Sequence, residues 1–296
     1  MNTNKILCAV DFSPCSQQAL RVAARLAKRS DAELVIAHAW QLPAIGFEGD
    51  FVFPVMVRDQ LVEDTKRGLE AAVHEVADLG VQRVSAQALN GVPWHEVVKL
   101  LEDPTYQLVV IGTHGRTGLS RVLIGSVAEK IVRHAPCSVL VVRPDGEPQT
   151  FKHVLCPVDF SASARQAFEL AAELARAERA EVTLLHVLEL PVPYSGEPFS
   201  AEFARDLDQR SARLLDKWAG EMASTSSVPI KTRTRIGWAG AETLAVLDAD
   251  RSIDLVVLGS HGRTGIKRIL LGSVAEKIMR HARCPVLISR RRGSDD

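Results

Sequence analysis

A stretch of 36 residues occurs twice in this chain with nearly the same sequence. Residues 108–143 read LVVIGTHGRTGLSRVLIGSVAEKIVRHAPCSVLVVR, and residues 255–290 read LVVLGSHGRTGIKRILLGSVAEKIMRHARCPVLISR. Each copy begins with a short apolar run of the kind that forms a strand buried on both faces, and glycines follow that run directly. The repetition predicts two domains of one fold, each organised around this stretch.

The glycines that follow the apolar run predict an anion-binding loop. Gly112 and Gly115 allow the backbone to turn sharply and to approach a ligand closely. Ser126 stands three residues before Glu129, which is the spacing of a capping box, so we predict Ser126 as the N-cap of a helix. The second copy has the same residue types at the same spacing: Gly259, Gly262, Gly272 and Ser273. A glycine loop and a helix N-terminus facing one crevice favour an anion, most naturally a phosphate.

This pattern, G-x2-G-x9-G-S between a strand and a helix, resembles the ATP-binding motif of the universal stress protein family. The resemblance covers nearly the whole chain as two tandem copies. It implies an α/β fold in each half, Rossmann-like and of the adenine nucleotide alpha-hydrolase type. The implied sheet is doubly wound, parallel and five-stranded, in strand order 3-2-1-4-5. The alternation of strand and helix patterns along each half separately predicts a parallel sheet with helices on both faces.

We place the two domains at residues 1–146 and 150–292. The sequence between them, RPDGEPQTFK at 143–152, is polar and contains Pro, Gly and Asp, as is typical of a linker. The full length of 296 residues gives room for two domains of ordinary size. We expect the apolar segment at 41–57 to pack against the other half, with a lid, a partner surface or a lipid contact as alternatives.

Composition limits the classes of partner. The formal net charge is +0, so no overall basic field would attract nucleic acid or an anionic membrane surface. No apolar run approaches the length of a membrane span. The five cysteines show no CxxC or metal-type spacing, and we expect them to be reduced and mostly buried in a cytoplasmic protein. We expect Cys15 to be the most exposed of them.

The resemblance also implies a set of nucleotide-binding residues. Asp11 and Asp159, which end the first strand of each half, would bond the ribose or the adenine, whereas their neighbours Phe-Ser allow a plain turn or N-cap role. Backbone groups of Ala39 and Val187 would read the adenine edge. The implied set in the first half is Asp11, Ala39, Ile111, Gly112, Gly115, Arg116, Gly125, Ser126 and Val127. The implied set in the second half is Asp159, Val187, Leu258, Gly259, Gly262, Arg263, Gly272, Ser273 and Val274.

Several other residues of the two sets would contact the nucleotide in specific ways. Ile111 and Leu258 would border the base or the ribose. Arg116 and Arg263 would screen the outer phosphates, or else form a solvated basic loop. Ser126 and Ser273 would act as helix caps without ligand and as phosphate ligands with it. No metal-ligating spacing of histidines is present, so we predict no protein metal site.

The motif lacks the GK[ST] ending of a Walker A loop, and no catalytic residue is identified. The leading hypothesis is a tandem universal-stress-type protein that binds ATP, or ADP or AMP, at one or both glycine motifs, with Mg²⁺ as an optional companion, and regulates partners in a stress response. The alternatives are a slow ATP-hydrolysing, self-phosphorylating or adenylate-forming enzyme and a scaffold without nucleotide. A homodimer and unidentified protein partners are the further expectations.

Overall fold

The computed structural model describes residues 5–41, 55–113, 124–144, 150–190, 200–262 and 271–291. The chain separates into two compact units, one ending at Pro144 and the other made of the residues that follow it. Each unit is an α/β domain with one parallel sheet. None of the helices in the described ranges is both long and apolar enough to cross a membrane.

The first unit has five strands and four helices in the described residues. The strands are β1 (Lys5–Ala9), β2 (Glu33–Trp40), β3 (Val84–Asn90), β4 (Tyr106–Gly112) and β5 (Ser138–Val142). The helices are α1 (Pro14–Ser30), α2 (Val55–Asp78), α3 (Pro93–Leu100) and α4 (Ser126–His134). The strands lie in the order β3-β2-β1-β4-β5, and all four pairings are parallel. The predicted order 3-2-1-4-5 is confirmed.

The second unit repeats this topology. Its strands are β6 (His153–Val158), β7 (Glu181–Leu188), β8 (Ile230–Ile236), β9 (Leu255–Gly259) and β10 (Val286–Ser289). Its helices are α5 (Ala162–Glu178), α6 (Ala201–Ser226), α7 (Ala239–Ala249) and α8 (Ser273–His281). The strands lie in the order β8-β7-β6-β9-β10, again with parallel pairings, which is the same arrangement as in the first unit.

The central strands are buried on both faces because helices cover both sides of each sheet. Leu7 and Cys8 on β1, and Leu155 and Cys156 on β6, have no solvent exposure. Burial raises the pKa of the Cys8 and Cys156 thiols far above the usual range, because a thiolate would be desolvated there. These two cysteines therefore belong to the core and are chemically quiet.

The expectation that Cys15 is the most exposed cysteine is wrong. All five cysteines are buried, and Cys15 is only 4% exposed. It lies in the first turn of α1, where its sulfur turns inward and contacts the Val142 carbonyl oxygen at 3.5 Å. The apolar segment at 41–57 falls almost entirely outside the described residues.

The helices α2 and α6 each contain a glycine that offers a matched test of packing. Replacing a glycine inside a helix with alanine normally raises the free energy of unfolding by up to about 1 kcal/mol. At Gly68, however, the added methyl carbon would lie 2.6 Å from the Phe12 ring, whereas at Gly220 it would meet nothing within 4 Å. We expect Gly68→Ala to lower the free energy of unfolding by about 1 kcal/mol or more, and Gly220→Ala to raise it, as measured by urea unfolding. Equal stabilisation by both changes would contradict this packing.

Candidate functional site

The reversal of strand order in each sheet leaves a crevice at the carboxyl ends of the strands. In the first unit the reversal lies between β1 and β4, and in the second between β6 and β9. Ligands of doubly wound sheets bind at this point, because the connections from the two strands leave in opposite directions. Asp11 and Asp159 follow β1 and β6, while Gly112 and Gly259 end β4 and β9.

Each aspartate is held by the serine two residues later. Oδ1 of Asp159 accepts hydrogen bonds from the Ser161 backbone N–H at 3.0 Å and from the Ser161 hydroxyl at 2.6 Å. Oδ1 of Asp11 accepts the same pair from Ser13 at the same distances. The serines, rather than the aspartates, are the N-caps of α1 and α5. The aspartates therefore organise the turn without capping the helix themselves.

The second oxygen of Asp159 lies against the glycine loop. A Cβ on Gly262 would be 2.9 Å from Oδ2 of Asp159, so a residue with a side chain there would push against the carboxylate. A Cβ on Gly272 would in turn lie 3.9 Å from the Gly262 nitrogen. The structure thus brings Asp159, Gly262 and Gly272 to one place. In the first unit Gly115 and Arg116, and in the second unit Arg263, lie outside the described residues.

The glycines that end β4 and β9 let the strand touch the first turn of a helix. A Cβ on Gly112 would be 3.1 Å from the carbonyl carbon and oxygen of Cys15. At Gly259 the corresponding distance to Ser163 is 3.0 Å. Because backbone atoms cannot move aside easily, these two glycines are needed for close packing of the strand against the helix.

The helices α4 and α8 begin one residue earlier than the capping-box spacing predicts. Their N-caps are Gly125 and Gly272, so the prediction that Ser126 and Ser273 are N-caps is wrong. The reason is that the Gly125 carbonyl already accepts the first helical hydrogen bond, from the Glu129 N–H at 2.9 Å. Ser126 and Ser273 are thus the first helical residues.

The shift leaves the helix N-termini without side-chain caps. In the described part of the chain no side chain caps α4 or α8. Glu129 pairs with Arg133 one turn further along the helix at 3.2 Å. The first-turn N–H groups of a helix have no acceptor within it, so those of Ser126, Val127 and their counterparts are suited to an anion.

The register of β2 and β7 directs selected backbone groups towards the crevice. The backbone groups of successive strand residues point to opposite neighbours. In β2 the even-numbered Leu34 and Trp40 make backbone hydrogen bonds on the β3 side. The odd-numbered Ala39 therefore points its backbone groups towards β1. Pairing with β1 stops at Ala37 opposite Ala9. Val187 has the equivalent position beyond the last β6–β7 pair, Val158 opposite His186. The amide and carbonyl groups of Ala39 and Val187 therefore face the region beyond the ends of β1 and β6.

Other residues support the site from below. Ile111 and Leu258 are only 3% and 4% exposed and stand one residue before the glycines that end β4 and β9, so they are buried near the crevice. The sequence-based set missed His38 and His186, which lie beneath the aspartate turns. In the described ranges no group of three or more His, Cys, Asp or Glu side chains could hold a metal ion.

The comparisons with known proteins identify the family. The model of the universal stress protein family matches residues 2–143 and again residues 150–290. A universal stress protein of Mycolicibacterium smegmatis is 27% identical over 296 residues, which span 97% of each chain. Universal stress protein A homolog 1 of Coxiella burnetii is 35% identical over 144 residues, or 48% of this chain and 97% of that protein. The chain therefore belongs to the universal stress protein family and carries two of its domains in tandem.

A solved structure supports the fold at full length. The crystal structure of a universal stress protein from Archaeoglobus fulgidus matches with a TM-score of 0.73 at 20% identity, covering 98% of this chain and 100% of that one. At this identity the match shows the fold alone. The two proteins thus share one fold over the length of both chains.

Substitution of the glycine N-caps of α4 and α8 tests whether these helix ends have room for a capping side chain. A Cβ at Gly125 would lie 3.4 Å from the Thr113 carbonyl oxygen and one at Gly272 would lie 3.5 Å from the Ser260 oxygen, which are ordinary contacts. Serine is preferred over glycine as an N-cap, since its hydroxyl accepts a first-turn N–H. We expect Gly125→Ser and Gly272→Ser each to raise the free energy of unfolding by a few tenths of a kcal/mol. A drop in the urea midpoint would show that these ends have no room for a cap.

Proposed function

We propose that each unit binds ATP, or the related nucleotides ADP and AMP, in the crevice at the carboxyl ends of its strands. The observation that carries this proposal is the convergence of Asp159, Gly262 and Gly272 at the start of a helix that no described side chain caps. A carboxylate and an anion-binding helix end in one crevice suit a ligand with hydroxyl or amino donors at one end and phosphate at the other.

The phosphates would lie at the N-termini of α4 and α8. Each terminus carries the positive end of the helix dipole, equivalent to about half a charge, together with first-turn N–H groups that have no acceptor within the helix. Ser126 and Ser273 are exposed first-turn residues, and their hydroxyls would add donors to the phosphate oxygens. Arg116 and Arg263 would screen the outer phosphates. Mg²⁺, where present, would travel with the phosphates, as it commonly does in nucleotide sites.

The nucleoside would lie over the strand ends, away from the phosphates. A carboxylate repels phosphate, so Asp11 and Asp159 would bond the ribose hydroxyls or the adenine amino group. The outward backbone groups of Ala39 and Val187 would read the adenine edge as a donor and an acceptor. Ile111 and Leu258 would bound the base or the ribose from below.

Binding would be the biochemical function, and regulation its purpose. Membership of the universal stress protein family supports a role in stress response, carried out in the cytoplasm through protein partners or a homodimer. The nucleotide would transmit a signal only by binding one conformation of the chain more tightly than another. The alternative is a slow ATP-hydrolysing or self-phosphorylating enzyme, which release of phosphate or labelling of the chain would reveal.

Isothermal titration calorimetry with ATP tests the proposal. We expect up to two nucleotides per chain, and we expect Gly262→Val to abolish the second-unit site because the new side chain both displaces the Asp159 carboxylate and occupies the crevice beside the start of α8. Asp159→Ala should weaken that site by roughly tenfold through the loss of one charged hydrogen bond. Gly220→Ala is the matched control and should bind as the unchanged chain does. Absence of binding at millimolar ATP would contradict the proposal.

The cap substitutions should separate stability from binding. If the first-turn N–H groups bind phosphate, a serine at Gly125 or Gly272 competes for them. We expect Gly125→Ser and Gly272→Ser to weaken ATP binding by about threefold to tenfold at their own site while the fold becomes slightly more stable. Unchanged affinity in both variants would place the phosphates elsewhere.

A further inference from the structure

The residue after each aspartate has a backbone conformation that bulky side chains rarely adopt. Phe12 has φ 62° and Phe160 has φ 65°, both in the left-handed region. A phenylalanine in this region is unfavourable unless the surrounding structure holds it there, and such strain is concentrated at functional sites. Its presence at equivalent positions of both units indicates that the turn requires a specific support.

The support for each phenylalanine is a buried histidine of the neighbouring strand. The ring centroids of Phe12 and His38 are 4.4 Å apart, and those of Phe160 and His186 are 4.5 Å apart. The interplanar angles are also similar, at 34° and 38°. The histidines are 7% and 5% exposed, so these ring contacts lie inside the domains.

The same histidines hold the peptide that enters the aspartate turn. Nδ1 of His38 lies 2.7 Å from the Val10 carbonyl oxygen, and Nδ1 of His186 lies 2.8 Å from the Val158 oxygen. Because a carbonyl oxygen only accepts, Nδ1 carries the hydrogen and donates it. Each histidine therefore fixes the residue before the aspartate by a hydrogen bond and the residue after it by ring packing.

The outer face of each phenylalanine is held differently in the two units. In the first unit the Phe12 ring packs against Gly68 of α2, where the absence of a side chain leaves room for the ring. In the second unit Phe160 meets the Trp218 ring edge-on at 5.4 Å, and Arg165 lies over Trp218 at 4.9 Å. Two different outer contacts thus preserve one arrangement of histidine, phenylalanine and aspartate.

We infer that His38 with Phe12, and His186 with Phe160, are positioning residues that orient the aspartate carboxylate for the nucleotide. This inference rests on the proposed function. The serine bonds hold Oδ1, and the histidine–phenylalanine pair sets the direction of the Cα–Cβ bond, so that Oδ2 of Asp159 lies against the glycine loop. A carboxylate held in place before binding loses less conformational freedom when the nucleotide arrives.

A double-mutant cycle separates positioning from a general contribution to stability. The full chain carrying Gly262→Val serves as the background, so that ATP titration reports the first unit. The dissociation constants of His38→Leu, Asp11→Ala and the double variant are compared with that of the background. We expect His38→Leu to weaken binding roughly tenfold when Asp11 is present and less than about twofold when it is absent, because the histidine acts through the aspartate.

A conservative variant provides the rescue. The side-chain amide of asparagine places a donor close to the position of Nδ1, so His38→Asn should restore the affinity to within about threefold of the background. Thermal unfolding of each variant without ligand checks that the fold is intact. An equal loss of affinity for His38→Leu in the presence and absence of Asp11, or failure of His38→Asn to rescue, overturns the inference.

The experiment distinguishes failure of the inference from failure of the proposed ATP binding. If only the second unit of the unchanged chain binds ATP, the cycle is run there with His186→Leu and Asp159→Ala, and the same outcomes decide. If the unchanged chain binds no ATP, the proposed function fails and the inference fails with it, because there is no ligand to position. Binding with an additive cycle overturns the inference alone.

Discussion

One backbone hydrogen bond in each unit joins the two ends of the glycine loop. The Gly125 N–H donates to the Thr113 carbonyl at 2.8 Å, and the Gly272 N–H donates to the Ser260 carbonyl at 2.9 Å. Because of this bond the N-terminus of α4 or α8 lies beside the carboxyl end of β4 or β9. The same bond places a glycine at the N-cap, so no side chain of the described residues caps the first-turn N–H groups, which face the crevice where strand order reverses.

The duplication shows which contacts the site requires and which can vary. The aspartate–serine bonds, the histidine bond to the preceding carbonyl and the left-handed phenylalanine occur in both units with nearly equal geometry. The supporting residues differ, since Cys15 lies under one strand glycine and Ser163 under the other. The constant contacts surround the carboxylate, and the variable ones lie behind it, as expected if selection acts on the crevice.

Much of the fold could be predicted because its signals are local. Apolar runs, helical spacing and the repeated glycines indicate the strands, the helices and the crevice, and the family resemblance supplies the strand order. The start of α4 was missed by one residue because the bond from Gly125 to Thr113 joins positions that no short pattern connects. The role of His38 was also hidden, since its acceptor is a backbone carbonyl 28 residues away. The only sequence signal was the repetition of histidine and Asp-Phe-Ser in both halves.

Amide NMR of the labelled chain during ATP titration shows whether phosphate binds at the N-termini of α4 and α8, which no side chain of the described residues caps. A phosphate accepting hydrogen bonds there should shift the amide signals of Ser126, Val127, Ser273 and Val274 more than those elsewhere in α4 and α8. Adenosine, which lacks phosphate, should leave these four signals nearly unchanged while it perturbs residues near Asp11 and Asp159. Large shifts confined to other parts of the chain, or equal effects of ATP and adenosine at the helix ends, would contradict the account.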